Sequence, residues 1–478
     1  MSLKLFRSSR AIFLGSFVSK IIHFSCSLVL AWLLLPEDYG DLILATLLTG
    51  FLTQISTLGY ELFYLQNKEN STNKLNIFLH VYFLRFITNS CISLILILSG
   101  FMIYYFSKEN NVSGGIIVMF GISLFIDSFN SPNELFLKNK FNFKKITIAR
   151  IIKDLMNSIC KVLFAALGFG GYSFGIGSIF GTISKLIYYR FSVNYPTTSF
   201  KIDKNILKRI FNFGKYVFYG SFGNYLVRYI DKILLVSYFD KISTGIYSFA
   251  YSNASIINNY LLLPFGQLNM TYIAKYDKSK IQLFENLSIV SKIYILVSII
   301  PSLFCLIYID SLFNFIFPPR WNNSIIIIKY FLIFYVFKSI PSAFMNVLTG
   351  LGKVKLNSKL INIRLIILLL SLIFVMSINP TIINYVKTYI LITLIFDYIK
   401  LYLSIKSLKI NIIQFVNNTF WDIILILLSM FIIAISFILQ VEANKLLIIL
   451  FINVLFCQLF DKVRFKTAFN FVKKIIFK

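Results

Sequence analysis

Long apolar runs, broken only by single polar residues, alternate with short basic connections along the whole chain. A helix needs about 20 apolar residues to cross a bilayer's hydrocarbon core. Runs near that length fall at 11–34, 41–58, 76–98, 114–129, 146–167, 172–191 and 213–239. Others follow at 245–265, 287–309, 324–348, 360–378, 382–405, 421–439 and 445–460. The pattern predicts an all-α polytopic membrane protein with about fourteen transmembrane helices.

Composition sharpens this. Of 478 residues 58% are hydrophobic and 14% charged, which excludes a soluble globule with an ordinary surface. Cys26, Cys91, Cys160, Cys305 and Cys457 stand alone in apolar segments without a C-x-x-C pair and read as small buried hydrophobes. The basic start followed by an apolar run has the order of a signal peptide. Lys20 and His23 interrupt that run, however, and no small-residue cleavage site follows, so it reads as a retained first span.

A net charge of +28 would suit nucleic acid, but no polar stretch is long enough to fold into a binding domain, and nucleic acid is excluded as a partner. Much of the charge instead sets orientation, because Lys and Arg accumulate in cytoplasmic loops. With the N-terminus inside, the inner connections carry Lys138, Lys140, Lys144 and Lys145, then Lys201, Lys204, Lys208 and Arg209, then Lys275, Lys278 and Lys280. Lys353, Lys355 and Lys359, and a tail with Lys462, Arg464, Lys466, Lys473 and Lys474, continue the series. The outer connections hold little beyond Lys108, Lys241, Arg320 and Lys445. Both termini are expected to be cytoplasmic, and the loop lysines are assigned no chemistry.

An internal repeat divides the chain. Phe13-Leu14-Gly15-Ser16-Phe17 matches Phe218-Tyr219-Gly220-Ser221-Phe222 at an offset of 205 residues (218 − 13), which also pairs His23 with Arg228, Gly40 with Gly245 and Ala45 with Ala250. Two pseudo-symmetric six-helix lobes, 1–195 and 196–410, would face each other across a central cavity, with an extra helix pair and basic tail at 411–478.

Charges inside the spans are the candidate chemistry. At 100° per residue, Ser16, Lys20, His23 and Ser27 fall within about 60° of one another. Ser221, Asn224, Arg228, Asp231 and Lys232 share one side of the seventh span, and Asp154, Asn157 and Lys161 recur at i, i+3 and i+7 in the fifth. Lys153 lies in that same fifth span, and Arg85 and Lys329 in other apolar runs. A structural alternative pairs Asp231 with Arg228 or Lys232 and Asp154 with Lys161. The embedded bases nevertheless outnumber Asp127, Asp154, Asp231 and Asp397, and an unpaired positive excess in lipid calls for an anionic ligand or water. Lys185, Lys292 and Arg364, nearer helix ends, are expected to snorkel.

Nothing points to an enzyme. His23 and His80 lie on different spans, and no metal-ligand spacing, phosphate-gripping glycine loop or Ser/His/Asp arrangement is present. The longest outer connection, 310–323, is too short for a catalytic loop. Its Pro318-Pro319-Arg320-Trp321 reads as a rigid turn with an interfacial aromatic anchor.

Several segments resemble the oligosaccharide flippases, the Wzx-type O-antigen and capsule-unit transporters of the superfamily that includes the multidrug and toxin exporters and the lipid II flippases. They are Leu35-Pro36-Glu37-Asp38-Tyr39-Gly40, Ser131-Pro132-Asn133 with Asn142-Phe143-Lys144, and Gly168-Phe169-Gly170-Gly171. Phe213-Gly214-Lys215, Asp231-Lys232-Ile233-Leu234 and Gly245-Ile246-Tyr247-Ser248-Phe249-Ala250-Tyr251 follow in the family's order. The likeness covers residues 10 to 276; the family's pattern of cavity arginines is not reproduced, the first span offering Lys20 and His23 instead.

The resemblance implies alternating access, an inner bacterial membrane, and a polyprenyl-pyrophosphate-linked oligosaccharide carried to the outer leaflet for O-antigen, capsule or exopolysaccharide synthesis. Membrane lipids, a polysaccharide polymerase and chain-length machinery are the expected partners. Lys20, His23, Arg228 and Lys232 are the candidates for holding the headgroup, and Arg85, Lys153, Lys161 and Lys329 for lining the path. Asp231 and Asp154 are the candidates for coupling to a proton or sodium gradient; no cofactor or metal is expected. A lipid II flippase, a multidrug exporter of the same fold and a membrane glycosyl polymerase are the alternatives.

Overall fold

A computed structural model describes residues 2–56, 59–66, 71–107, 111–140, 142–193, 202–256 and 280–439. They form helices α1 (Ser2–Leu33), α2 (Pro36–Ser56), α3 (Tyr60–Gln66), α4 (Ser71–Phe106), α5 (Asn111–Ser128), α6 (Ser131–Asn139), α7 (Phe143–Ala166), α8 (Tyr172–Ser192), α9 (Lys204–Tyr238) and α10 (Lys241–Ala254). Then come α11 (Lys280–Ile316), α12 (Ser324–Phe344), α13 (Val347–Gly350), α14 (Val354–Ile378), α15 (Ile382–Ser407) and α16 (Ile412–Leu439). Every expected span but two coincides with one of these helices; 245–265 is described only as far as residue 256, where it runs along α10, and 445–460 lies outside the described residues. Among the described residues, eight helices are long and apolar enough to cross a membrane by length and composition. The short helices α3 and α6, in connections between spans, were not anticipated.

The chain divides into two compact units, Met1–Ser248 and Phe249–Lys478, with the break inside α10. In the first, α4 packs on α5, α7 on α8, and α1 on α7. Cys26, Leu30, Leu34, Ala165 and Phe174 bury one seam, and Ala45, Ile92, Leu96, Ile116 and Ile117 another. The second unit has a larger apolar core, contributed by α11, α12, α15 and α16. On α14, Ile366, Leu370, Phe374 and Ile378 recur every fourth residue and are all exposed, an apolar stripe suited to lipid.

The segment from Leu35 to Asp41 shows why a short motif is needed there. Pro36 occupies the first turn of α2, where its missing N–H is not needed, and the Leu35 N–H donates to the Asp38 carboxylate at 2.8 Å. Tyr39 meets Phe174 edge-on at 5.5 Å. A methyl on Gly40 would collide with the Lys241 carbonyl, and one on Gly245 with the Pro36 carbonyl, so α2 and α10 touch at two glycines that the repeat aligns. Asp41, buried beside them, pairs with Lys241 at 2.6 Å and accepts from Ser113.

Trp321 departs from its expected role. It is wholly buried in a single 3-10 turn, stacked on Phe249 at 4.0 Å, and serves the core of the second unit rather than an interface with lipid headgroups.

Candidate functional site

The polar stripe of α1 meets that of α7. His23 Nε2 lies 3.5 Å from Asp154 Oδ1, and buried Ser19 adjoins the same carboxylate. Spacing explains this: Asp154, Asn157 and Lys161 at i, i+3 and i+7 keep one face of α7 polar over two turns. Asp154 thus pairs with His23, not with Lys161 as the structural alternative supposed.

Lys161 sits two turns further along this face. Its ammonium lies 5.8 Å from the Phe174 ring centre, within electrostatic range of Cys26 and Asp154, and it makes no ion pair within 4 Å among the described residues. α8 approaches it closely because Gly177 leaves room: a Cβ there would lie 2.5 Å from Lys161 Cγ. Lys153, half-buried, adds its charge to the neighbourhood of both Asp154 and Asp127, and Lys20 is half-buried on α1. Lys20, His23, Lys153 and Lys161 therefore stand around one helix pair with Asp154, a basic excess on a polar face.

The remaining candidates are distributed. Asp231 is buried on α9 and accepts from the Tyr247 hydroxyl at 3.4 Å; Lys232 lies 5.5 Å from the Tyr229 ring centre. The side chain of Arg228 is outside the described residues. Arg85 pairs with Glu61 on α3, which also binds Lys138 at 2.7 Å. Lys329 pairs with Asp310 at 3.1 Å in the second unit, the acid 67% exposed.

Two expected snorkelling residues turn inward. Lys185, a buried residue of α8, reaches Glu134 on α6 at 2.6 Å and Asp127 on α5 at 3.1 Å. Arg364 reaches Asp397 at 3.7 Å and donates to Thr393 at 3.3 Å. Lys292 is buried as well. Glu61 and Glu134, the acids that balance Arg85, Lys138 and Lys185, lie on the short helices between spans, where hydropathy gives no warning of them. His80 also proves structural: its Nδ1 lies 2.8 Å from the Asn76 carbonyl, and its Nε2 accepts from the Asp203 N–H at 2.8 Å, as in a neutral ring.

Fold and site together define a multi-pass helical membrane protein with charge inside its spans. Among solved structures, the lipid II flippase MurJ in an inward closed conformation matches with a TM-score of 0.65 at 15% identity, covering 95% of this chain and 99% of that one. An inward-facing multidrug resistance MATE family transporter gives 0.59 at 12%, covering 84% and 94%. A superfamily member from Pyrococcus furiosus, described by the reversed polarity of its binding pocket, gives 0.54 at 11%, covering 84% and 96%. These likenesses establish the fold. No curated protein matches the sequence. The chain belongs to the polysaccharide biosynthesis protein family, whose model matches residues 29–326.

Proposed function

We propose that this protein is a flippase that carries polyprenyl-pyrophosphate-linked oligosaccharide units from the cytoplasmic to the outer leaflet of a bacterial inner membrane, by alternating access, for surface polysaccharide assembly. The basic excess around α1 and α7 carries the reading: Lys161 is held in a span without an ion pair within 4 Å among the described residues, and Lys20, His23 and Lys153 share its surroundings. A diphosphate is the anion such a set would take. The family and the flippase fold supply the remaining support.

Lys20, His23, Arg228 and Lys232 would hold the headgroup and Arg85, Lys153, Lys161 and Lys329 line the path. Binding must only be comparable in the two access states. A negative cell interior favours outward movement of an uncompensated anion by about 2.3 kcal/mol per charge per 100 mV. Asp154, shared with His23, and Asp231 are the groups through which a proton or sodium gradient would couple. A polymerase and chain-length machinery would consume the product.

Lys161→Gln tests the site in cells making the glycan: lipid-linked units should accumulate in the inner leaflet while surface polysaccharide falls. Undiminished surface polysaccharide in a well-expressed variant would remove Lys161 from the path. The MurJ likeness keeps lipid II as the second substrate; proteoliposomes offered each lipid separately distinguish the two.

A further inference from the structure

The second unit contains a charge cluster that none of the roles above uses. Asp397 on α15, 4% exposed, stands between Lys338 of α12 at 3.3 Å and Arg364 of α14 at 3.7 Å. Arg364 also donates to the buried Thr393, one turn before Asp397, and the Lys338 ammonium lies 4.9 Å from the Phe334 ring centre. Lys400, three residues after Asp397 and so on a neighbouring face, acts electrostatically on Asp397, Arg364 and Lys338, yet makes no ion pair within 4 Å among the described residues. Three bases thus surround one acid, an excess of two positive charges (3 − 1).

Depth makes that excess consequential. Arg364 lies ten residues from the start of α14 and Asp397 ten from the end of α15. At 1.5 Å per residue both sit about 15 Å from the helix ends that join the basic connections, near the middle of a bilayer core. The internal acid does not saturate its neighbours. Both ion-pair distances exceed the roughly 2.7–2.9 Å of a charge-assisted hydrogen bond, and Asp397 Oδ2, although buried, accepts no hydrogen bond among the described residues.

We propose that Lys338, Arg364 and Lys400 form an anion site within the second unit that takes a phosphate-class oxyanion, carried by a lipid headgroup or free. A guanidinium with two ammoniums suits several phosphate oxygens at once, the guanidinium forking to two of them and each ammonium meeting one as a point charge. Asp397 keeps the bases apart and placed when the site is empty. The site uses none of the headgroup residues of the first unit and does not depend on the nature of the transported glycan.

The full chain in detergent is titrated with inorganic diphosphate by calorimetry and with phosphatidylglycerol, against phosphatidylcholine, by native mass spectrometry. Arg364→Gln with Lys400→Gln leaves the Lys338–Asp397 pair as a neutral unit; affinity should fall about tenfold or more for whichever probe is the ligand. Asp397→Asn should bind at least as tightly as wild type. The probe that responds identifies the source, headgroup or free anion. Unchanged affinity of the double variant for both probes overturns the site, as does loss of binding in a folded Asp397→Asn. Should the double variant fail to fold, Lys400→Gln alone decides: weakened binding supports the site and unchanged binding overturns it.

Discussion

In the first unit Lys185 holds Glu134 at 2.6 Å and Asp127 at 3.1 Å, while Glu61 takes Arg85 and, at 2.7 Å, Lys138. In the second unit Lys338 and Arg364 share Asp397 at 3.3 and 3.7 Å, with Lys400 alongside. Counted by ion pairs within 4 Å among the described residues, the first set balances three acids with three bases; the second leaves one positive charge over (2 − 1), with Lys400 beside it. Short balanced contacts spend the attraction of every group internally, which ties α3, α4, α5, α6 and α8 together but leaves little for a ligand. Long unbalanced contacts hold less structure and keep attraction in reserve. Charge inside a membrane span is therefore not one kind of feature, and balance with distance separates lock from site.

The largest effect should come from breaking the balanced set. Lys185→Met removes the buried base shared by Asp127 and Glu134 and leaves two half-buried carboxylates opposed, a loss of about 3 kcal/mol. Arg364→Gln should cost about 1–2 kcal/mol, because Lys338 still answers Asp397. Denaturant unfolding of both in one detergent orders them, and equal losses would erase the distinction between the clusters.

Next is a packing test. Gly245→Ala drives a methyl into the Pro36 carbonyl where α2 meets α10, and overpacking of this kind costs about 1–3 kcal/mol. Gly223→Ala, a site where an added methyl meets nothing within 4 Å among the described residues, should leave the unfolding midpoint unmoved or slightly raised.

Acid should act selectively on the balanced cluster. Burial alone would raise the Glu134 carboxyl, but Lys185 more than cancels this and holds it below the ordinary glutamate range. A depressed folded-state value means stability is fully present above the unfolded value, near 4.3, and is lost as pH falls through the lower folded value. Glu134→Gln should therefore show a shallower loss of stability than wild type below about pH 4. Parallel curves would remove Glu134 from the network's acid response.

These contrasts also mark how far the sequence could be read. Apolar runs placed the helices because each span needs only local hydropathy, and the i, i+3, i+7 spacing of Asp154, Asn157 and Lys161 oriented α7 correctly. Partners were another matter. Lys185 and Arg364 looked like snorkelling residues since Glu134 and Asp397 lie 51 and 33 positions away in sequence, and Trp321 looked interfacial because Phe249 is 72 residues earlier. Glu61 and Glu134 escaped notice on α3 and α6, helices too short for periodicity to declare. A buried charge is visible in sequence; the group that neutralises it is set by packing.

The smallest effect should come from Lys329→Gln. Its partner Asp310 is two-thirds exposed, and a pair so placed contributes at most about 1 kcal/mol before screening. Stability should change within that limit and become indistinguishable from wild type as salt is added. Lys355→Gln, at an exposed residue of a basic connection with no assigned chemistry, has the same charge change as Lys400→Gln in the same unit, so it controls for net charge in the anion titrations. Weaker diphosphate or phosphatidylglycerol binding in Lys400→Gln with no change in Lys355→Gln assigns the effect to position. An equal fall in both would mean that the anion responds to the overall charge of the unit, and the cluster around Asp397 would then be only a looser version of the one around Lys185.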